Sequence, residues 1–283
     1  MVIKMKIYDT HSDVFYNLYS RTKQGEKNVF EKYHLENLKK GNVVGGIWVV
    51  YSESDFDLLD AYRMALHEFE PYKDNYDVIY GLEGLRNVKN IEEFNQLYQM
   101  GIRHAMLTWN EENQFATGVG GEKDRGLQPM GKEILQYMNE HHMIVDVSHL
   151  NVKSFYDVIL DTAKKGRPEE ICGLIGGIKN GNEREVKEIY VLENIDHSNE
   201  HFTMNPKDQL DAVKDMRAKG LVPLGNFHSH PESPSRPSEE DKRLAYDKEA
   251  SYMIISLMDI ENPVLKSFRI VDNVSTEEEI KYI

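Results

Sequence analysis

Cysteine is almost missing from this chain: its 283 residues contain one, Cys172. No intrachain disulfide can form, and a reducing compartment is the natural setting. Cys172 lies in the apolar run Ile171-Cys172-Gly173-Leu174-Ile175-Gly176 with no paired base signalled beside it. It therefore reads as a small buried hydrophobe rather than a nucleophile. No run of about 18 apolar residues occurs, and Met1-Val2-Ile3-Lys4-Met5-Lys6 has no long apolar core behind its lysines. A membrane-spanning helix is not expected, and the cytoplasm is the expected location. Runs of Lys and Arg are missing too. With 34 basic against 48 acidic residues the net charge is −14, shared about evenly by the two halves. That balance argues against a nucleic-acid backbone or an anionic membrane surface as partner. There is no internal repeat, and the Ser/Pro cluster at 231–238 is too short to be a linker.

What is present is an ordinary globular composition, 40% hydrophobic, long enough for two cores. Residues 6–14 read as a strand running into a loop, followed by a polar helical stretch to about residue 40. Residues 43–51 are rich in Val, Ile and Gly without polar alternation, as in a strand covered on both faces. Helices are expected over 56–70, 91–100 and 130–141, and strands over 78–84, 103–109 and 143–148. This alternation implies parallel strands joined by helical crossovers, with functional groups gathered at the strands' carboxyl ends. His11, Asp13, Glu83 and His149 lie at such ends and could hold one or two metal ions.

A boundary is expected near residue 150, giving domains 1–149 and 150–283. The second opens with a helix over 151–165, closed by Lys164-Lys165-Gly166-Arg167-Pro168. Strands follow at 171–178 and 186–192, joined by Lys179-Asn180-Gly181-Asn182, a hairpin signal. A helix over 206–220 comes next, then a strand over 221–227, a helix over 239–248, strands over 252–257 and 265–271, and a short acidic tail. Within this order stands Gly225-Asn226-Phe227-His228-Ser229-His230-Pro231, followed by Ser238-Glu239-Glu240-Asp241. Residues two apart on a strand share a face, so both imidazoles can reach one ion, and a helix start at Ser238 brings back Asp241. Two neutral nitrogens and a carboxylate suit zinc with its fourth position left to water. On spacing alone, a polar strand end and a capping box account for the same residues equally well.

The segments Asp9-Thr10-His11-Ser12-Asp13, Gly81-Leu82-Glu83-Gly84, 106–113 and Ile144-Val145-Asp146-Val147-Ser148-His149 resemble the amino-terminal half of the membrane dipeptidase (renal dipeptidase) family, barrels with a two-zinc centre that cleave dipeptides. The resemblance implies that His11, Asp13, Glu83 and His149 are metal ligands. It covers about five strands of an eight-stranded barrel and stops after His149. The family's further histidine ligand, substrate arginine and acidic catalytic residue have no counterpart. A barrel fragment used for packing or partner contact is the alternative reading. Docking of the second domain or a dimer contact could each cover its open side, so a homo-oligomer stays open.

From about residue 150 to 283 the chain resembles the JAMM (MPN-plus) metallopeptidases, most closely the small prokaryotic members. The resemblance rests on Pro168-Glu169-Glu170-Ile171-Cys172-Gly173-Leu174-Ile175-Gly176, on His228-x-His230-Pro231 and on Ser238-x-x-Asp241. It implies a small mixed sheet flanked by helices, a Zn2+ ion held by His228, His230 and Asp241, Glu170 as general base and Ser238 as oxyanion donor. The implied activity is hydrolysis of an amide or isopeptide bond at the C-terminal tail of a ubiquitin-like or sulfur-carrier protein. The expected fold is therefore α/β: a partial (β/α) barrel of about five parallel strands, then a JAMM-type mixed-sheet domain. A dipeptidase-like hydrolase using the first half and a non-enzymatic protein-binding scaffold are the rival readings.

Overall fold

A computed structural model describes residues 5–52, 54–181 and 183–281. The start Met1–Lys4 and the Asn182 of the expected hairpin turn lie outside the described residues. Two compact units divide the chain between Phe155 and Tyr156.

The first unit alternates strand and helix: β1 (Ile7–Ser12), α1 (Val14–Lys23), α2 (Glu36–Gly41), β2 (Val43–Tyr51), α3 (Leu58–Phe69), β3 (Asp77–Glu83), α4 (Ile91–Gln99), β4 (Ile102–Met106), α5 (Pro129–Glu140) and β5 (Ile144–Asp146). Between Lys23 and α2 the expected helical stretch is broken, with a π-helical turn at Glu31–Leu35 leading into α2. The strands form one parallel sheet in sequence order, β1-β2-β3-β4-β5, the arrangement of half a barrel. Local chemistry sets the helix starts. The Asp57 side chain accepts from Asp60 N at 2.9 Å to open α3, and Asn90 accepts from Glu93 N at 2.9 Å to open α4. The core is aromatic. Phe15 of α1 meets Trp48 of β2 edge-on at 5.9 Å, and Phe69 of α3 meets Trp48 at 5.2 Å, all three fully or nearly fully buried. Because the strands are parallel, their carboxyl ends lie together, and that is where Glu83 stands.

α6 (Val152–Gly166) carries the chain into the second unit, where β6 (Cys172–Asn180), β7 (Glu183–Leu192), α7 (Pro206–Ala218), β8 (Val222–His230), α8 (Glu239–Leu244), β9 (Ser251–Ser256), β10 (Val264–Val271) and β11 (Val274–Glu278) follow. The six strands make one mixed sheet in the order β11-β10-β9-β8-β6-β7, in which only β8 and β9 run parallel. Gly225 lets β8 and β9 approach, since a Cβ there would fall 1.8 Å from the Ser251 carbonyl oxygen. Two expectations are corrected. The helix expected over 239–248 ends at Leu244, and Ala245 leaves helical geometry at ψ 74°. The acidic tail is a strand, β11, folded back on β10 through Asp272 and Asn273, both at positive φ (50° and 65°) as a type I′ turn demands.

Candidate metal and hydrolase site

The site in the second unit is built at the carboxyl end of β8. His228 and His230 alternate past Ser229, which turns to the opposite face. There Ser229 ties down the chain entering β6: Ile171 N donates to Ser229 Oγ and Ser229 N to Ile171 O, each at 2.9 Å. This clasp places Glu170 beside the histidines. His228 lies opposite Cys172 of β6 on one side and Ile254 of β9 on the other, and is 2% exposed.

The tautomer of His230 follows from its partner. Nδ1 lies 3.0 Å from the Pro234 carbonyl, which can only accept, so Nδ1 carries the proton and Nε2 presents a lone pair. The Nε2 atoms of His228 and His230 are 2.9 Å apart. Asp241, from the first turn of α8, puts Oδ1 3.3 Å from His228 Nε2 and Oδ2 3.6 Å from His230 Nε2. Donors about 2.0 Å from a tetrahedral ion stand about 3.3 Å from one another. The three side chains therefore have the spacing and chemistry of a zinc ligand set. Burial lowers the His228 pKa against the opposing pull of Asp241, favouring the neutral ring that metal binding requires. Burial opposes ionisation of Asp241 as well, yet the two neighbouring imidazoles and the Ser238 hydroxyl hold that carboxyl far below the usual range.

Glu170 is 5% exposed, and burial raises its carboxyl to about 7 although the neighbouring His230 pulls it down. A carboxylate with that pKa can both take and return a proton near neutrality. Ser238 is the N-cap of α8 in a reciprocal capping box. Its Oγ accepts from Asp241 N at 3.0 Å and donates to Asp241 Oδ2 at 2.6 Å. Its single proton is thus spent on the Asp241 carboxylate in this state. The Cys172 thiol, buried and pushed up to about 12 by that burial, is an inert core group as expected.

Sequence reasoning overlooked the loop after β7. Phe202 lays its ring on His228, with centroids 4.6 Å apart and planes 25° from parallel. His201 Nδ1 is 2.5 Å from Glu240 Oε2, next in sequence to Asp241. A cavity of about 40 Å³ is lined by His228 and Asp241 together with Phe202, Asn226, Leu244, Tyr252 and Ile254. No spacing signal marks these positions, because their roles depend on partners distant in sequence.

In the first unit, Glu83 reaches His11 Nε2 with Oε2 at 3.3 Å and His149 Nε2 with Oε1 at 3.2 Å. The other nitrogen of His149 lies 2.9 Å from Asn110 Oδ1. Donor atoms of His11, Asp13 and Glu83 lie within 4.8 Å of one another. Burial opposes the Glu83 charge, but the two imidazoles hold its carboxyl down at about 2, while burial and that charge raise Asp13. All four expected residues are brought together here, as the five are in the second unit.

Residues 152–271 match the family described as prokaryotic homologues of the JAB domain. The CysO-cysteine peptidase of Mycobacterium tuberculosis is 31% identical over 121 residues, covering 43% of this chain and 82% of that protein. The chain belongs to this JAB-domain family. A protein of Desulfitobacterium hafniense with a solution structure shares 53% identity, over 44% of this chain and 86% of that one, at a TM-score of 0.42. Residues 67–165 match the membrane dipeptidase family, Peptidase family M19. An uncharacterized dipeptidase of Schizosaccharomyces pombe is 39% identical over 89 residues, 30% of this chain. The chain spans about a fifth of that relative, 21%. Beside the JAB-domain unit, then, stands a unit similar to only part of a dipeptidase. Among the described residues, no helix is long and apolar enough to cross a membrane.

Proposed function

We propose that the chain is a zinc metallopeptidase that hydrolyses an amide or isopeptide bond at the C-terminal tail of a ubiquitin-like or sulfur-carrier protein. The observation that carries this reading is the convergence of His228 Nε2, His230 Nε2 and Asp241 at tetrahedral spacing beside a buried Glu170. Zinc held there would supply Lewis acidity to a water and to the scissile carbonyl. Glu170 accepts the proton of the attacking water and returns it to the leaving amine, a use that fits a carboxyl raised to about 7. Ser238 turns its hydroxyl proton from Asp241 towards the oxyanion, where one donor contributes about 3 kcal/mol to lowering the barrier. The carrier-tail substrate agrees with the name of the mycobacterial relative, a CysO-cysteine peptidase.

The test is hydrolysis of carrier tails ending in one further amino acid. Full-length protein is expected to release that residue, with activity lost in His228→Ala and Glu170→Ala. Undiminished hydrolysis by the double variant would sink the reading. A second reading is favoured by the His11, Asp13 and Glu83 group: a metal-dependent dipeptidase activity of the first unit. Cleavage of simple dipeptides that dies with Glu83→Ala and survives His228→Ala would support it. A scaffold without catalysis would have no need of Glu170, Ser238 and the three ligands together, and zinc-free protein would favour it.

A further inference from the structure

Glu170 lies before β6, whose ladder begins at Cys172, so its backbone polar groups fall outside the sheet. Both are nevertheless bonded, and both partners belong to the loop between β7 and α7. The Glu170 N–H donates to the Ser198 carbonyl at 2.8 Å, and the Glu170 carbonyl accepts from Asn194 Nδ2 at 3.0 Å.

Asn194 also closes that loop. Its Oδ1 accepts from Asp196 N at 3.1 Å and from Thr203 N at 3.2 Å, and its Nδ2 donates a second bond to the His201 carbonyl at 3.0 Å. Ile195 N adds a bond to Thr203 O at 2.9 Å. Two donors and two acceptors are all a carboxamide has, and all four are used on a side chain 8% exposed. The orientation is dictated by the partners, since a flipped amide would set NH2 against two backbone N–H groups. The loop so closed is the one that lays Phe202 on His228.

We infer that Asn194 is the positioning residue of the hydrolytic reaction, locking the backbone of Glu170 to the loop that covers the metal ligand His228. The inference rests on the peptidase reading of Glu170 given above. Glu170 has no ladder bond of its own to fix the aim of its carboxylate. Without the Asn194 bond the Glu170 carbonyl loses its own partner, and its peptide is left to the Ser198 bond on one side and the Ile171–Ser229 clasp on the other. A misplacement on the order of 1 Å costs about 100-fold in rate.

Asn194→Asp keeps the two loop-closing bonds that Oδ1 accepts and loses both donors, setting charge against the Glu170 and His201 carbonyls. In zinc-loaded, full-length protein with a carrier tail, kcat is expected to fall about 100-fold with KM within about threefold, the signature of a lost transition-state interaction. Zinc stoichiometry is expected to stay at the wild-type value. In the zinc-free wild type, hydrogen exchange at the Glu170 amide should be slow and match that of Ile195 as one opening unit. The same amide should exchange at least about tenfold faster in Asn194→Asp. Asn194→Asp at the wild-type rate while Glu170→Gln is dead would overturn the positioning role alone. Glu170→Gln at the wild-type rate would overturn the peptidase reading instead. Should Asn194→Asp not fold, wild-type exchange decides: a Glu170 amide as fast as exposed loop amides overturns the inference, and co-protection with Ile195 supports it.

Discussion

Burial holds the Glu170 carboxyl at about 7, and that displacement has two measurable consequences of opposite sign. For the reaction proposed above it would supply a base matched to neutral pH, so Glu170→Gln is expected to lower kcat by about 10²- to 10⁴-fold. For folding it is a burden. The folded pKa lies above the unfolded value near 4.5, so the proton is bound more tightly in the folded state. Below pH 4.5 nothing is lost; from there to about 7 stability falls, and above 7 the whole cost is present. Glu170→Gln removes that cost, which is on the order of 3 kcal/mol from the size of the displacement. Zinc-free Glu170→Gln protein should therefore melt above the wild type at pH 8 and level with it at pH 4. Thermal scans in chelator at the two pH values check this, and equal melting at pH 8 would show that Glu170 is not strained.

Among the elements, α8 has the least to spare. Six residues long, it depends on the capping box that also orients Asp241. Ser238→Ala should cost about 1 kcal/mol as a lost N-cap, and about 100-fold or more in kcat as a lost oxyanion donor. Denaturant melts beside kinetics separate the two, and a melting change with intact kcat would leave Ser238 as a cap only. The β10–β11 hairpin offers a cleaner backbone test. Asn273 sits at φ 65°, where a β-branched residue is strained, so Asn273→Val should destabilise the protein by about 1–2 kcal/mol. Reading β11 from sequence failed for a reason visible here: Val274-Ser275-Thr276-Glu277-Glu278 is mostly polar, three of its five residues are exposed, and its turn uses Asp-Asn where glycine would have announced it. β2, by contrast, was legible to the residue because burial on both faces wrote Val, Ile and Gly without alternation. His228, His230 and Asp241 were legible because strand and helix periods turn their spacing directly into proximity. Asn194 and Phe202 were not, since a loop carries no period and their partners stand 24 and 26 positions away.

For the whole chain, the question is which of two units, each with a convergent group of residues able to hold a metal, would bind one more tightly. The sets differ in spacing and burial. In the second unit three donor atoms meet at tetrahedral spacing, with His228 and His230 buried. In the first unit Glu83 is shared between His11 and His149, the His11 and Asp13 side chains are more exposed, and burial and the Glu83 charge both disfavour the Asp13 carboxylate that would bind a cation. Affinity should therefore be lower in the first unit. Titration of metal-loaded full-length protein with a chelator is expected to strip the first unit before the second. Glu83→Ala should abolish the early phase and leave tail hydrolysis unchanged, while His228→Ala should abolish the late phase and the hydrolysis with it. Element analysis at each step reads the order directly. The reverse order, or tail hydrolysis that follows the early phase, would place the chemistry in the dipeptidase-like unit, because a reaction that needs the metal must be lost with the ion that carries it.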